Sequence, residues 1–500
     1  MSLKVNEKNK QPYFPPYFDE NDRLLKIQKL IPTIESIYKM YADKYHIPGY
    51  AFGIMLDSAL IYSGSGGYID IDRQIPATCR SMFRIASITK SLTAMAILLL
   101  RDQGGLRLDD PVYLYIPEIE RQQLTDDSPS ITIRDLLTHS SGLPEDNAWG
   151  DSKLAETEQA LLSLIRNGLC FSNTNGVAYE YSNLGYTLLG YIIQKVTQIP
   201  YQVFIEKNIW DSLGIKYAEW EFTRISADQL AHGYQWNNGE WVKQELLSNG
   251  IYGAMGGMIT SIESFSKYVA FHQNAWPPRS EFETGPVRRS TVREMHQPWR
   301  FNKITLENKE ATNDTTYFAE AYGYGLTRSC DGRGNIYVGH SGGLPGFGCN
   351  WTIMPEHGIG VILFANLTYA PAYEINYCVL QELCNKAKLK QRKLPPSHIL
   401  KKYKDELIKL IPNWNLARES CMFAANFFKD YSLNTLIEES QAFFKKNGRI
   451  TYVSDVFPQG QLRGYFIMEG ENNDLKISFS LTPENLPLIQ QLQISEISKV

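Results

Sequence analysis

The chain has 500 residues, 43% hydrophobic and 21% charged, an ordinary globular composition with length enough for two or more domains. Its formal net charge of -4 argues against a general nucleic-acid binder, and its longest apolar run, residues 94–100, falls far short of the ~20 residues of a membrane span. Seven scattered cysteines without C-x-x-C, and histidines without H-E-x-x-H, argue against a disulfide framework or zinc site, so the thiols read as buried and no metal or cofactor is expected.

The opening "MSLKVNEKNKQPYFPPYF" carries basic residues but no apolar core and does not read as a secretory signal. As written the chain reads as cytoplasmic, or as exported if a leader has been removed. Residues 21–45 predict a first helix, with Leu24, Ile27, Ile31, Ile34, Tyr38 and Tyr41 at helical spacing. "YAFGIMLDSALIYSGSGGYIDI" predicts two strands around a turn at Asp57-Ser58. "SITKSLTAMAILLLRDQGG" predicts a helix stopped by Gly104-Gly105 and apolar on most faces, hence buried.

Residues 109–220 read as short helices and loops, among them "TIRDLLTHSSGLP" and the longer "SNLGYTLLGYIIQKVTQI". From about Tyr322 strands return as "GNIYVGHSGG", "FGCNWTIMP" and "GIGVILFANL", before a closing helix "AYEINYCVLQELCNKAK". Strands at both ends with helices between predict one sheet built from both ends, with a helical insert. The basic, proline-ended "NKAKLKQRKLPPSH" reads as a solvated linker, with a membrane-surface patch as the sharper alternative. Beyond it, helices over about 415–429 and 433–447 and then four strand candidates predict a small α+β unit. The expected domains are therefore 1–390 and 400–500.

Two serines compete as nucleophile. "GHSGG", residues 339–343, fits the G-x-S-x-G nucleophile elbow, which needs strand, sharp turn and helix. Pro345, Gly346 and Gly348 follow Ser341 at once, and only His357 and His398 lie downstream, so a helix and a triad are both disfavoured. The better candidate is Ser87-Ile88-Thr89-Lys90. Ser87 and Lys90 share one helix face, a helix N-terminus favours an alkoxide, and burial favours a neutral, proton-accepting lysine. The competing reading is an N-cap serine and a surface lysine, against which stands the apolar run after Lys90.

Tyr181-Ser182-Asn183 supplies a second element: a tyrosine able to share a proton with a lysine and an amide able to orient it, or, more plainly, a loop tyrosine and a helix cap. The strand of His340, Ser341, Gly342 and Gly343 is a third, a Gly-rich edge that lets a substrate backbone approach and offers N–H donors to an oxyanion. Ser341 then belongs to the wall of the site.

In this order S-x-x-K, Y-x-N and H-S-G resemble the serine β-lactamase and penicillin-binding-protein superfamily, specifically its class C β-lactamase-related esterases and D-amino-acid peptidases. "MFRIASITKSLTAMAILLL", "ITIRDLLTHSSGLP", "YEYSNLGYTLLGYIIQKVT", "YGAMGGMITS" and "GYGLTRSCDGRGNIYVGHSGGLPGF" are similar to that family in its order. The resemblance covers about residues 25–385. It implies an α/β sandwich of antiparallel sheet and helices with a helical subdomain, and a cleft between them. It further implies Ser87 as acylated nucleophile, Lys90 and Tyr181 as the proton-transfer pair, and Asn183 as orienter of Lys90 and substrate. The N–H groups of Ser87 and Gly343 become the oxyanion hole, His340 and Ser341 contact substrate, and Met255-Gly256-Gly257 marks the other rim.

The family's lactamases carry Lys-Thr-Gly where this chain has His340-Ser341-Gly342, which favours an ester, amide or D-amino-acid peptide over a β-lactam. A weak β-lactamase or DD-peptidase, and a catalytically silent binding protein of the same fold, are the alternatives. The partner is a small molecule or short peptide; the tail resembles cystatin-like or nuclear-transport-factor-like domains.

Overall fold

The computed structural model describes residues 13–309 and 314–497. They divide into two compact units, Glu20–Gln391 and a second made of residues 13–19 with 392–497.

The first unit is built on a nine-stranded antiparallel sheet. Its spatial order is Ile75–Pro76, Ala59–Asp70, Gly49–Leu56, Ile359–Ala365, Phe347–Met354, Ile336–Leu344, Thr327–Asp331, Asp314–Tyr322 and Arg300–Lys309. Tyr50 lies opposite Ala365 and Leu56 opposite Ile359, so the two ends of the unit meet at the centre of one sheet, as the sequence predicts. The central strands Gly49–Leu56, Phe347–Met354 and Ile359–Ala365 are buried along their whole length, the signature of a sheet covered on both faces.

Alternation sends Val361 and Leu363 to one face and Ile362 and Phe364 to the other. On the first face helix Ile31–Lys44 sets Ile34 and Tyr38 against Phe52, with helix Ala372–Ala387 alongside through Ile375, Val379 and Leu383. On the second, Phe265 and Val269 of helix Ile262–Asn274 join the large core of the helical subdomain. At the centre of that subdomain lies helix Thr89–Asp102, buried from Thr89 to Leu100, with helix Asn183–Thr197 buried from Asn183 to Ile193. The fold is thus an α/β sandwich of antiparallel sheet and flanking helices with a helical subdomain.

Several expectations need correction. The first helix is two, Arg23–Gln28 and Ile31–Lys44, because Pro32 has no N–H to continue the ladder and suits the first turn of a new helix instead. Strands return well before Tyr322: Arg300–Lys309 and Asp314–Tyr322 extend the sheet edge, with Phe301, Ile304 and Tyr317 exposed. The cysteines are not uniformly buried; Cys349 is, whereas Cys170 and Cys421 are exposed and the other four lie between.

In the second unit, strands Ile450–Val453, Arg463–Gly470, Asp474–Leu481 and Ile489–Ile497 form an antiparallel sheet, with Phe457–Pro458 beside Arg463–Gly470. Leu475, Ile477, Phe479 and Leu481 alternate inward and meet Leu400, Tyr403, Leu407, Trp414 and Phe427. The helix expected over 415–429 is replaced by turns and a single short helix, Phe427–Asp430. The second expected helix is present as Leu433–Asn447, and a further one, not expected, lies at His398–Leu410, started by Ser397, whose hydroxyl accepts the Leu400 N–H.

Each unit carries its own hydrophobic core. A chain limited to residues 20–391 is therefore expected to unfold in one cooperative urea transition; an insoluble or molten product would place part of its core in the remaining residues.

Candidate active site

Short strand Phe83–Arg84, paired with Ile259–Thr260, feeds a 3-10 turn, Ala86–Ile88, that runs into helix Thr89–Asp102. Ala86 sits at φ +49°, a left-handed conformation that costs an L-residue of order 1–2 kcal/mol and that the packing around it must hold. Strand Ile336–Leu344 passes so close that a Cβ on Gly342 would fall 2.1 Å from the Ile85 carbonyl oxygen and 3.1 Å from the Ala86 Cβ. Glycine at 342 is what lets the sheet touch the turn that carries Ser87. The turn leaves Ser87 partly exposed, beside Tyr181, His340 and Ser341 in a cleft of about 580 Å³.

Lys90 follows one turn later and is fully buried. Its Nζ lies 3.0 Å from Ser87 Oγ, 2.6 Å from Asn183 Oδ1 and 2.8 Å from the Met255 carbonyl. Two of these partners can only accept, so two amine hydrogens are committed. The third position donates to Ser87 when the amine is charged and accepts the Ser87 proton when it is neutral. Burial pushes the Lys90 amine down to about 7, against the opposing pull of Asp146 and Asp151.

Asn183 is fixed from two sides. Its Nδ2 donates to Asn147 Oδ1 at 3.2 Å, which turns Oδ1 toward Lys90. Its backbone N–H donates to Asp146 Oδ1 at 2.6 Å, and the Leu184 N–H to Asp146 Oδ2 at 2.9 Å. A carboxylate thus closes the N-terminus of helix Asn183–Thr197, where the helix field favours it. Met255, expected at the cleft rim with Gly256 and Gly257, is buried with them and serves Lys90 from behind.

Tyr181 is half-buried. Lys90 Nζ stands 4.9 Å from its ring centroid. Burial holds the phenol well above its ordinary pKa, and a hydrogen bond with Ser87 pulls the other way, so near neutrality it is a protonated phenol. Its ring rests on His139, centroids 4.3 Å apart, whose Nδ1 accepts the Ser182 N–H at 3.0 Å.

The four residues 340–343 divide their tasks. His340 Nδ1 lies 2.5 Å from the Ser341 carbonyl, which can only accept, so Nδ1 carries the proton. Nε2 then accepts from the Tyr322 hydroxyl at 2.8 Å. Burial pushes the imidazole down to about 3, leaving a neutral ring with both nitrogens engaged. Ser341 is exposed at the cleft and accepts from Asn350 Nδ2 at 3.1 Å. Gly343 lines the same cleft. Pairing with the neighbouring strand stops at Thr327 opposite Gly339, whereas pairing with Phe347–Met354 continues to Leu344, so one edge of 340–344 is left open. A second strand follows this one, not a helix, which excludes an elbow at Ser341.

All eight sequence candidates therefore lie in or against one cleft. Sequence reasoning missed Asp146, Asn147, Asp151, Tyr322, Tyr369 and the aromatic support from His139. The one available signal was "THSSGLP", quoted for the family resemblance but given no role. Among the described residues no group of three or more His, Cys, Asp or Glu side chains could hold a metal ion, and no helix is long and apolar enough to cross a membrane.

Comparison with known proteins gives a match of residues 34–379 to the Beta-lactamase family. The protein flp of Staphylococcus aureus strain NCTC 8325 is 28% identical over 343 residues, which are 68% of this chain and 64% of that protein; the chain thus spans under two thirds of that relative's length. The structure of the octameric penicillin-binding protein homologue from Pyrococcus abyssi matches with a TM-score of 0.61 at 22% identity, over 94% of this chain and 96% of that one. The D-stereospecific amidohydrolase from a Streptomyces species matches with a TM-score of 0.53 at 23% identity, over 70% and 97%.

The contact at residue 342 is open to test. Gly342→Ala is expected to destabilise by roughly 1–3 kcal/mol, the usual range for overpacking, in urea unfolding. Gly105→Ala, whose added Cβ would meet nothing closer than 3.4 Å, is the control and is expected within about 0.5 kcal/mol of the parent.

Proposed function

The chain belongs to the beta-lactamase family of serine hydrolases, and we propose that it cleaves an ester, amide or D-amino-acid peptide through an acyl-enzyme on Ser87. The observation that carries this reading is the Lys90 amine, 3.0 Å from Ser87 Oγ with its other two hydrogens committed to obligate acceptors. An amine near pKa 7 is neutral in a large fraction of molecules at working pH, which suits a general base.

As the Ser87 Oγ–C bond forms, the hydroxyl proton passes to the Lys90 lone pair, and the carbonyl electron pair moves onto oxygen. The N–H groups of Ser87 and Gly343 meet that oxyanion. Collapse breaks the bond to the leaving group, which takes a proton from the Tyr181 phenol, itself recharged from Lys90. Water then attacks the acyl-enzyme by the same proton route in reverse, releasing the acid and restoring Ser87. Asn183 keeps the amine aimed throughout.

His340 supports the choice of substrate class. A neutral imidazole with both nitrogens engaged offers no cation to a carboxylate, where the family's lactamases place a lysine. That counts against efficient β-lactam hydrolysis. The complete set of Ser87, Lys90, Tyr181 and Asn183 counts against a silent binding protein.

A fluorophosphonate probe followed by peptide mapping is expected to label the Ser87 peptide. Ser87→Ala should abolish the adduct, and Ser341→Ala should retain it; label on the Ser341 peptide, or none with several acylating agents, would overturn the assignment. Lys90→Met and Tyr181→Phe should each lower kcat by about 10²–10⁴, the usual worth of positioned proton transfer, and their losses should not add.

The pH dependence follows from Lys90. The neutral amine is the active form, so kcat/KM should rise with pH through about 7. A rising limb near the ordinary lysine value instead would mean that Lys90 does not accept the proton.

A further inference from the structure

The charged groups around the cleft are unbalanced. Glu145, Asp151 and Glu180 line it, and Lys303 is the one basic surface residue that does. Among the described residues, none of the three carboxylates has an ion-pair partner. Glu180 is held by the Glu145 N–H at 2.9 Å and by Asn173, and Glu145 accepts from Asn147 Nδ2 at 3.0 Å. All these donors are neutral, so the carboxylates are positioned without being neutralised.

Asp151 is the most exacting of the three. It is 5% exposed, yet among the described residues its carboxylate has one hydrogen bond, from the Tyr369 hydroxyl to Oδ2 at 2.7 Å. Among the described residues Oδ1 receives no donor, and Asp151 is part of the cleft lining. Burial raises this carboxyl above its ordinary value, while Tyr369 and nearby Lys90 draw it back. A charge so placed is costly until a cation meets it.

Tyr369 adds a geometric limit. It follows the central strand Ile359–Ala365, and its ring lies against the strand at Gly343, where a Cβ would fall 2.6 Å from the ring. Its hydroxyl reaches Asp151 on helix Asn147–Ser152. The pair therefore links the sheet side of the cleft to its helical side. On the opposite count, neutral His340 supplies nothing to hold a carboxylate.

We propose that this cleft selects substrates bearing a terminal ammonium group close to the scissile carbonyl, and that Asp151 receives that ammonium through Oδ1. The proposal rests on the acyl-enzyme reading for its reaction, but its binding part stands apart from turnover. A substrate carboxylate would meet Glu145, Asp151 and Glu180 against the single surface cation of Lys303, and is disfavoured by like charge.

The test uses three alanine p-nitroanilides of each hand at pH 7: the free amine, the N-acetyl and the N-succinyl compound. They share acyl residue and leaving group and differ in charge. For the favoured hand, kcat/KM for the amine is expected to exceed that for the acetyl compound by about tenfold or more, and that for the succinyl compound by about a hundredfold, in keeping with a close charge pair of one to two factors of ten. The margin should shrink in 0.5 M NaCl.

Asp151→Asn should bring the amine-to-acetyl ratio down about tenfold; because the ratio is internal to each variant, a general loss of activity does not disturb it. If that variant does not fold, Glu145→Gln with Glu180→Gln should lower the ratio in the same direction.

Calorimetry on Ser87→Ala with alanine anilide and its N-acetyl derivative reads the same preference without turnover. An acetyl compound bound or turned over as well as the amine would overturn the proposal, as would an unchanged ratio in Asp151→Asn. Absence of a fluorophosphonate adduct on Ser87 would overturn the acyl-enzyme reading alone, and the calorimetric comparison would still decide this one.

Discussion

The site turns on a lysine amine kept out of water. Lys90 lies on a helix that is buried from Thr89 to Leu100, so its side chain has no route to solvent and must find its partners inside. The surrounding elements follow from that need. A short helix, Gly253–Gly256, offers the Met255 carbonyl, and helix Asn183–Thr197 begins on the residue whose amide oxygen meets Nζ. Asp146 then closes that helix and holds Asn183 in place. The low dielectric that makes the charged amine costly is also what makes the neutral amine available, so one packing decision sets both stability and reactivity.

A second constraint couples the two halves of the first unit. The sheet draws its centre from both ends of that unit, while the helical subdomain between them carries Ser87 and Lys90. The two meet where Gly342 lies against the Ile85–Ala86 backbone. Residue Ala86 holds its left-handed conformation under that contact, and the open edge of strand Ile336–Leu344 begins beside it. Ser87 and the edge strand are therefore positioned by one junction.

Much of this was legible in the sequence because it rests on local spacing. Ser87 and Lys90 are three residues apart at the head of a strongly apolar helix, and Tyr181 and Asn183 sit at the head of another; such patterns survive without knowledge of the tertiary fold. The central strands stood out as short stretches of β-branched and aromatic residues separated by Gly and Pro. What escaped depends on contacts between distant segments. Asp146 and Asp151 occupy the unremarkable loop sequence "EDNAWGD", and nothing local says that one caps a distant helix or that the other meets Tyr369. The engaged state of His340 depends on Tyr322, which reaches it from a different strand. The strand Arg300–Lys309 was hidden because it lies at an exposed edge, where polar residues dilute the alternation. Helix His398–Leu410 was passed over because its lysines masked the inward row of Leu400, Tyr403 and Leu407.

The placement of Ser87 and Lys90 on consecutive turns has a mechanical corollary. Their separation is set by the 3-10 turn and the helix it runs into and would survive any rocking of sheet against helices as a rigid-body quantity. The donor pair proposed for the oxyanion is different: Ser87 belongs to the helical side and Gly343 to the sheet. Slow breathing of the cleft would leave proton transfer untouched and modulate only the spacing of those two N–H groups. Such motion would thereby be filtered, reaching one half of the proposed chemistry and bypassing the other.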